Sequence, residues 1–199
     1  MSDHAPDVDW DTVYVLPSQE VSLIDFPSDE EWILDIGGGG EGIIGKMKGR
    51  QVVAIDRVGA ELQETANDSL KLVMDARQLN FLENSFGTAT LFFTLMYVPF
   101  EDVSSIFSEL SRVLKPGGEL LIWDATVDVP PEYADKELFM IPLTINFPDG
   151  TSRQTAYGAS IRNQDVDLFL GVAQELGFEV VEKRTSGLTF FVRLALRKG

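Results

Sequence analysis

The chain has 199 residues, a 44% apolar fraction, no cysteine, and 32 acidic against 16 basic side chains, for a net charge of −16. That length suits one globular domain with a substantial core, and the lack of thiols excludes disulfides, thiolate zinc sites and cysteine nucleophiles. The few Lys and Arg are scattered, so a phosphate polymer would be repelled and nucleic acid is not expected as a partner; the acidity reads either as solubility or as a preference for neutral or cationic acceptors.

Residues 1 to about 12 are acidic and turn-rich and hold His4, the single histidine. They lack the basic-then-apolar order of a signal peptide, and no 18-residue apolar run exists, so a cytoplasmic protein without membrane contact is expected. Pro17-Ser18 predicts a helix through Phe26, with Ser18 as N-cap and Pro27 as terminator. Trp32 to Ile36 predicts the first strand. It meets Gly37-Gly38-Gly39-Gly40-Glu41-Gly42, then an apolar pair at near-helical spacing. A strand, a bare backbone turn and a helix start let a ligand approach without Cβ in the way and aim backbone N–H groups at an anion.

A second strand over Gln51–Ile55 ends in Asp56, and a helix is expected around Ala60 to Ala66. A third strand over Leu70–Met74 ends in Asp75, and a fourth spans Thr88–Phe93. Val103, Ile106, Phe107, Leu110, Val113 and Leu114 recur at three- and four-residue steps, which predicts a helix stopped at Lys115-Pro116-Gly117-Gly118. A fifth strand, Glu119–Trp123, ends in Asp124. Leu143–Phe147 and Ser152–Tyr157 flank Pro148-Asp149-Gly150 and predict a β-hairpin. A helix through Val166, Phe169, Leu170, Ala173 and Leu176 precedes two strands, Phe178–Lys183 and Leu188–Leu196. With no linker or repeat, residues 1–199 are expected to form one domain, with an N-terminal segment (1–30) and an inserted hairpin segment (128–160) that serves as acceptor lid, dimer contact or decoration.

Strands alternating with helices predict an open, doubly wound α/β sheet with helices on both faces, binding its ligand at the carboxyl ends of the strands. Asp35, Asp56 and Asp75 close three successive apolar runs there. An acid about 20 residues past the first loop glycine accepts ribose hydroxyls, which Asp56 satisfies relative to Gly37. That spacing fits both NAD and S-adenosylmethionine. Asp35 before the glycine turn suits a ligand carrying an ammonium and a sulfonium rather than two phosphates, and Asp75-Ala76 suits the edge of an adenine.

The stretches ILDIGGGGEGIIG, VVAID, LVMDARQLNFLENSFG, TLFFTLMYV and LSRVLKPGGELLIWD run in an order that resembles the class I S-adenosylmethionine-dependent methyltransferases. The likeness is to methyltransferase type 11, the subgroup similar to ubiquinone and menaquinone biosynthesis methyltransferases, and covers roughly Ile33 to Asp124. It implies a Rossmann-like seven-stranded sheet, mostly parallel with the last strand antiparallel, and S-adenosylmethionine as cofactor. Gly37 and Gly39 would face the methionine part, with Asp35 holding its amino group through water. Asp56 would bind the ribose hydroxyls, Arg57 would border the adenine, and Asp75 with the Ala76 backbone would read the adenine edge. The Phe93 backbone would face the cofactor amine and Tyr97 the acceptor. Two positions depart from the family pattern: Glu41 replaces the third glycine, and Gly87 replaces a common aspartate.

Methyl transfer from a sulfonium needs alignment, and a base only when the acceptor must lose a proton. The candidates for such a base are Tyr97, Tyr157, Asp124 and Glu132, with no metal expected. Two other functions fit the same architecture: an NAD-type oxidoreductase, and a non-catalytic module that binds S-adenosylmethionine.

Overall fold

The computed structural model describes residues 9–24, 26 and 31–197; His4 and the Pro27 terminator lie outside them. The elements in chain order are β1 (Val13–Val15), β2 (Gln19–Ser22), β3 (Ile33–Ile36), α1 (Ile43–Lys48), β4 (Val52–Asp56), α2 (Gly59–Glu64), β5 (Leu70–Val73) and β6 (Phe86–Phe92). They continue as α3 (Phe100–Val113), β7 (Leu114–Ala125), β8 (Leu138–Asn146), β9 (Ser152–Ser160), α4 (Val166–Glu175), β10 (Phe178–Ser186) and β11 (Thr189–Leu196).

The main sheet has the order β10-β11-β7-β6-β3-β4-β5. β7, β6, β3, β4 and β5 pair in parallel. The final strand, β11, is antiparallel to both of its neighbours, as the family resemblance implied. From β3 the chain steps outward to β4 and β5, then returns to lay β6 against the other side of β3. The order therefore reverses at β3, and the crevice opens at the carboxyl end of that strand.

Alternation along the strands divides the core between the two sheet faces. Leu34, Ile36, Leu91 and Ile122 pack under the apolar stripe of α3 and under Phe169 and Leu170 of α4. The N-terminal end of α4 is fixed by Asp165, whose carboxylate accepts from the Asp167 and Leu168 amides. Ile33, Val52, Ala54, Leu121 and Trp123 face the other way. There Ile43 and Ile44 of α1 and Leu62 of α2 cover part of the sheet.

The rest of that second face is covered by strands, where helices were expected. Phe139, Ile141, Leu143 and Ile145 of β8 are buried against Trp123 and Phe191. β8 belongs to a second sheet, pairing with β9 in the expected hairpin and, along its other edge, with β1 and β2 in parallel. The helix expected from Ser18 to Phe26 is thus replaced by β2 and the chain beyond it. Gln19-Glu20-Val21-Ser22 alternates, with Val21 buried between exposed neighbours, and the ladder to Leu143–Asn146 outweighs the local cap signal of Ser18.

α3 ends at Val113, and Lys115–Gly118 enter β7 directly instead of forming a loop. The register against β6 jumps from Phe86↔Leu114 to Thr88↔Glu119, so the Pro-Gly-Gly run is absorbed as a bulge with Gly117 at φ +80°. Gly87 sits at the amino end of β6, opposite the crevice. A Cβ there would stand 1.6 Å from Glu31 Oε2, and Glu31 uses that space to pair with Lys115 at 2.6 Å.

Candidate cofactor site

A cleft of about 410 Å³ opens at the carboxyl ends of β3, β4, β5 and β6. Its floor is the glycine turn, and this turn differs from the expected anion cradle. The Gly37 and Gly38 amides both donate to the Ile55 carbonyl (2.9 and 3.0 Å), that of Gly40 to Glu61 O (3.0 Å) and that of Gly42 to Gly39 O (3.1 Å). These four donors are spent within the protein and are not presented to a diphosphate. Bareness is still required here. A Cβ on Gly38 would lie 2.7 Å from Asp35 Oδ2 and 2.8 Å from Ala54 Cβ, and one on Gly39 would lie 2.9 Å from Asp56 Oδ2. The glycines farther on, Gly42 and Gly45, pack against Thr65 and Asn67.

Every residue that the sequence assigned to the cofactor lines this cleft: Asp35, Gly37, Gly39, Asp56, Arg57, Asp75, Ala76 and Phe93. Asp35 is 2% exposed and faces the second side of the sheet, where Thr90 Oγ1 donates to its Oδ1 at 2.7 Å. Burial lifts its pKa to about 7; the Thr90 bond opposes the rise and nearby Asp56 adds to it. Asp56 accepts the Val58 amide at 2.8 Å. Asp75 is gripped by Arg77, whose Nε and terminal nitrogen donate to Oδ1 (3.0 Å) and Oδ2 (2.6 Å). That hydrogen-bonded pairing holds Asp75 down to about 2. Arg77 also donates to Asp102 of α3 at 3.2 Å, closing a bridge between the end of β5 and α3.

Phe93 leaves the sheet with φ +49°, a left-handed backbone that costs a non-glycine residue about 1–2 kcal/mol. Its amide bonds Trp123 O at 2.8 Å, and Thr94 Oγ1 bonds Ile36 O at 2.9 Å. This corner sends Leu95–Tyr97 along the cleft as a 3-10 turn. Tyr97 lines the wall, and Tyr157 of β9 closes over it, stacked on Phe93 with ring centroids 5.4 Å apart. Burial raises the Tyr97 phenol to about 12, while the Gly158 amide that hydrogen-bonds it pulls the other way. Tyr157 is raised further by burial, with Glu41 adding to the effect. Both phenols stay protonated at neutral pH.

Asp124 lies outside the cleft lining and is fully buried. It accepts the amides of Ala125 (2.8 Å) and Met96 (3.3 Å) and Nε2 of Gln164 (3.1 Å), and its pKa is raised to about 6 by burial against those bonds. Its contacts hold the turn beneath Tyr97. Glu132 lies in an exposed turn beside Tyr133, which stacks on Tyr14 at 4.2 Å, and it too is outside the lining. Among the described residues, no group of three or more His, Asp or Glu could hold a metal. Sequence reasoning missed Arg77, Thr90 and Glu61 as parts of the site. Arg77 alone carried a local signal, an Asp-x-Arg at a strand end.

A family model described as "Methyltransferase domain" matches residues 34–122, which supply the glycine turn, all three strand-end acids and the Phe93 corner. Residues 34–122, somewhat under half of the chain, thus resemble a methyltransferase domain. The stretch that matches the ubiquinone/menaquinone biosynthesis C-methyltransferase of Desulfotalea psychrophila is 43% identical over 54 residues, taking in 27% of this chain and 21% of that protein. An S-adenosylmethionine-dependent methyltransferase from Methanosarcina mazei has a similar structure, with TM-score 0.63 and 21% identity, over 85% of this chain and 93% of that one. The [4+2]-cyclase SpnF also shares the fold, with TM-score 0.57 and 14% identity, over 92% and 77% of the two chains. The Methanosarcina mazei protein is described as S-adenosylmethionine-dependent. Around this chain's glycine turn, four of whose amides are bonded within the protein, the cleft presents the carboxylates of Asp35, Asp56 and Glu61, which suits a cationic ligand.

Proposed function

We propose that the chain is a methyltransferase that moves the methyl group of S-adenosylmethionine onto a small neutral or cationic acceptor by in-line displacement. The observation that carries this reading is the pairing of buried Asp35 with a glycine turn in which the amides of Gly37, Gly38, Gly40 and Gly42 are already bonded inside the protein. Such a site attracts an ammonium or a sulfonium and gives a diphosphate little to hold, which argues against NAD. In this reading Asp35 holds the amino group, Asp56 the ribose hydroxyls, and Arg57, Asp75 and the Ala76 backbone border the adenine. The bound cofactor supplies an electrophilic methyl group whose departing sulfur becomes neutral.

The protein then contributes orientation and exclusion of water. Phe92, Phe93, Tyr97 and Tyr157 wall the acceptor side of the same cleft. Neither phenol is a base at neutral pH, and Asp124 is sealed behind the Leu95–Tyr97 turn. The acceptor is therefore one that reaches the site already able to attack. The hairpin of β8 and β9 serves as a fixed roof over it.

Calorimetric titration with S-adenosylhomocysteine and with NADH tests the cofactor assignment. Binding of the first alone is expected, and Asp56→Ala weakens it by about 1–3 kcal/mol through loss of buried hydrogen bonds. Binding of NADH alone, or an unchanged affinity in the variant, overturns the assignment. Binding without methyl transfer to a broad acceptor panel would favour a non-catalytic module.

A further inference from the structure

Glu41 stands where the resembled family carries a glycine, and methyl transfer as described makes no use of it. Its Oε2 lies 2.5 Å from the Arg153 guanidinium and 3.5 Å from Lys46 Nζ. Its Oε1 accepts from Thr155 Oγ1 at 3.2 Å. Arg153, Thr155 and Tyr157 are alternate residues of β9, so all three project from one side of the strand. They pair with Ile145, Leu143 and Ile141 of β8, whose side chains are buried against the main sheet. The same side of the small sheet thus covers the core through β8 and overhangs the cleft through β9.

We infer that Glu41 is a positioning residue: by pinning Arg153 and Thr155 to the glycine turn, it sets Tyr157 over the bound cofactor. This rests on the cofactor reading given above. A glycine at this place would leave the roof without its tie to the floor. Lys46 gives Glu41 a second cation, so removing Arg153 frees the strand without stranding an unpaired carboxylate. Arg153 is partly exposed, and the link is accordingly of modest strength.

Stopped-flow dissociation of S-adenosylhomocysteine from the whole protein tests this, using Glu41→Gln, Arg153→Ala, the double variant and Arg153→Lys. Each of the first two single variants is expected to release the ligand about two- to fivefold faster, the scale of a partly exposed ion pair. The double variant adds nothing further, and Arg153→Lys recovers part of the loss. If the wild type binds but Arg153→Ala releases at the wild-type rate, or if the effects multiply in the double variant, the positioning role is overturned and the cofactor reading stands. If the wild type does not bind, both fall together. Should Glu41→Gln fail to fold, the comparison of Arg153→Ala with Arg153→Lys decides.

Discussion

Asp35 combines near-complete burial with a pKa of about 7, so its charge is switched within the ordinary working range. In our reading an ammonium group arriving beside it favours the ionised form. S-adenosylhomocysteine affinity should therefore fall as pH drops from 8 to 6, and calorimetry on Asp35→Asn should show weaker binding with that dependence flattened. Gly38 offers a steric test at the same place. Its added Cβ meets Asp35 Oδ2 and the Ala54 side chain at 2.7–2.8 Å, and neither can retreat from the packed sheet. Gly38→Ala should lower stability by about 1–3 kcal/mol, as overpacking does, measured by denaturant unfolding. The strand-end acids were legible because an apolar run ending in Asp is a local pattern. Their partners were not: Thr90 reaches Asp35 from across the sheet, a neighbour that only topology reveals. Asp124 misled for a related reason. A strand-end acid can point into the core as easily as into the crevice, and the Met96 and Gln164 contacts that hold it come from distant segments.

Among the elements, the hairpin was visible in advance from its Pro-Asp-Gly turn, but its attachment was not. Period-two alternation at Gln19–Ser22 was too short to compete with the Pro17-Ser18 cap signal until β8 supplied a partner. The small sheet that results is core on one side. Ile141 is fully buried against the main sheet, so Ile141→Ala should cost about 2–5 kcal/mol, read by the denaturation midpoint. Excising residues 138–160 should unfold the chain, because Trp123 and Phe191 lose their cover. Point changes such as Tyr157→Ala are the proper way to probe the roof, and methyl-transfer assays across acceptors would then report on the wall alone.

The molecule as a whole carries a proton balance set by the two carboxylates that are buried among the described residues. Asp35 and Asp124 have folded-state pKa values of about 7 and about 6, against 3.8 for the free side chain. Between roughly pH 4 and pH 7 the folded form keeps protons that the unfolded chain has shed, so stability falls as pH rises through that window and levels off above it. Self-repulsion from a net charge of −16 acts in the same direction. Salt separates the two, because it screens surface charge far more than buried charge. Melting temperatures measured at high salt should keep a slope from pH 5 to 7, and Asp35→Asn should reduce it. The charge and the α/β class of the main sheet were legible from the sequence, whereas the second sheet over one of its faces and the titration were not, since these depend on which segments meet and which acids lose contact with water.

β11 is made after β10 yet lies between it and β7. A nascent chain emerging from the ribosome therefore holds β10 without a neighbour until residues 189–196 have cleared the exit tunnel. Until then Trp123 and Leu121 line an open margin of the sheet, a surface on which a chaperone can act. Ribosome-stalled chains ending before Thr189 should accordingly be far more sensitive to protease than those extended past Gly199 by a tunnel-spanning linker.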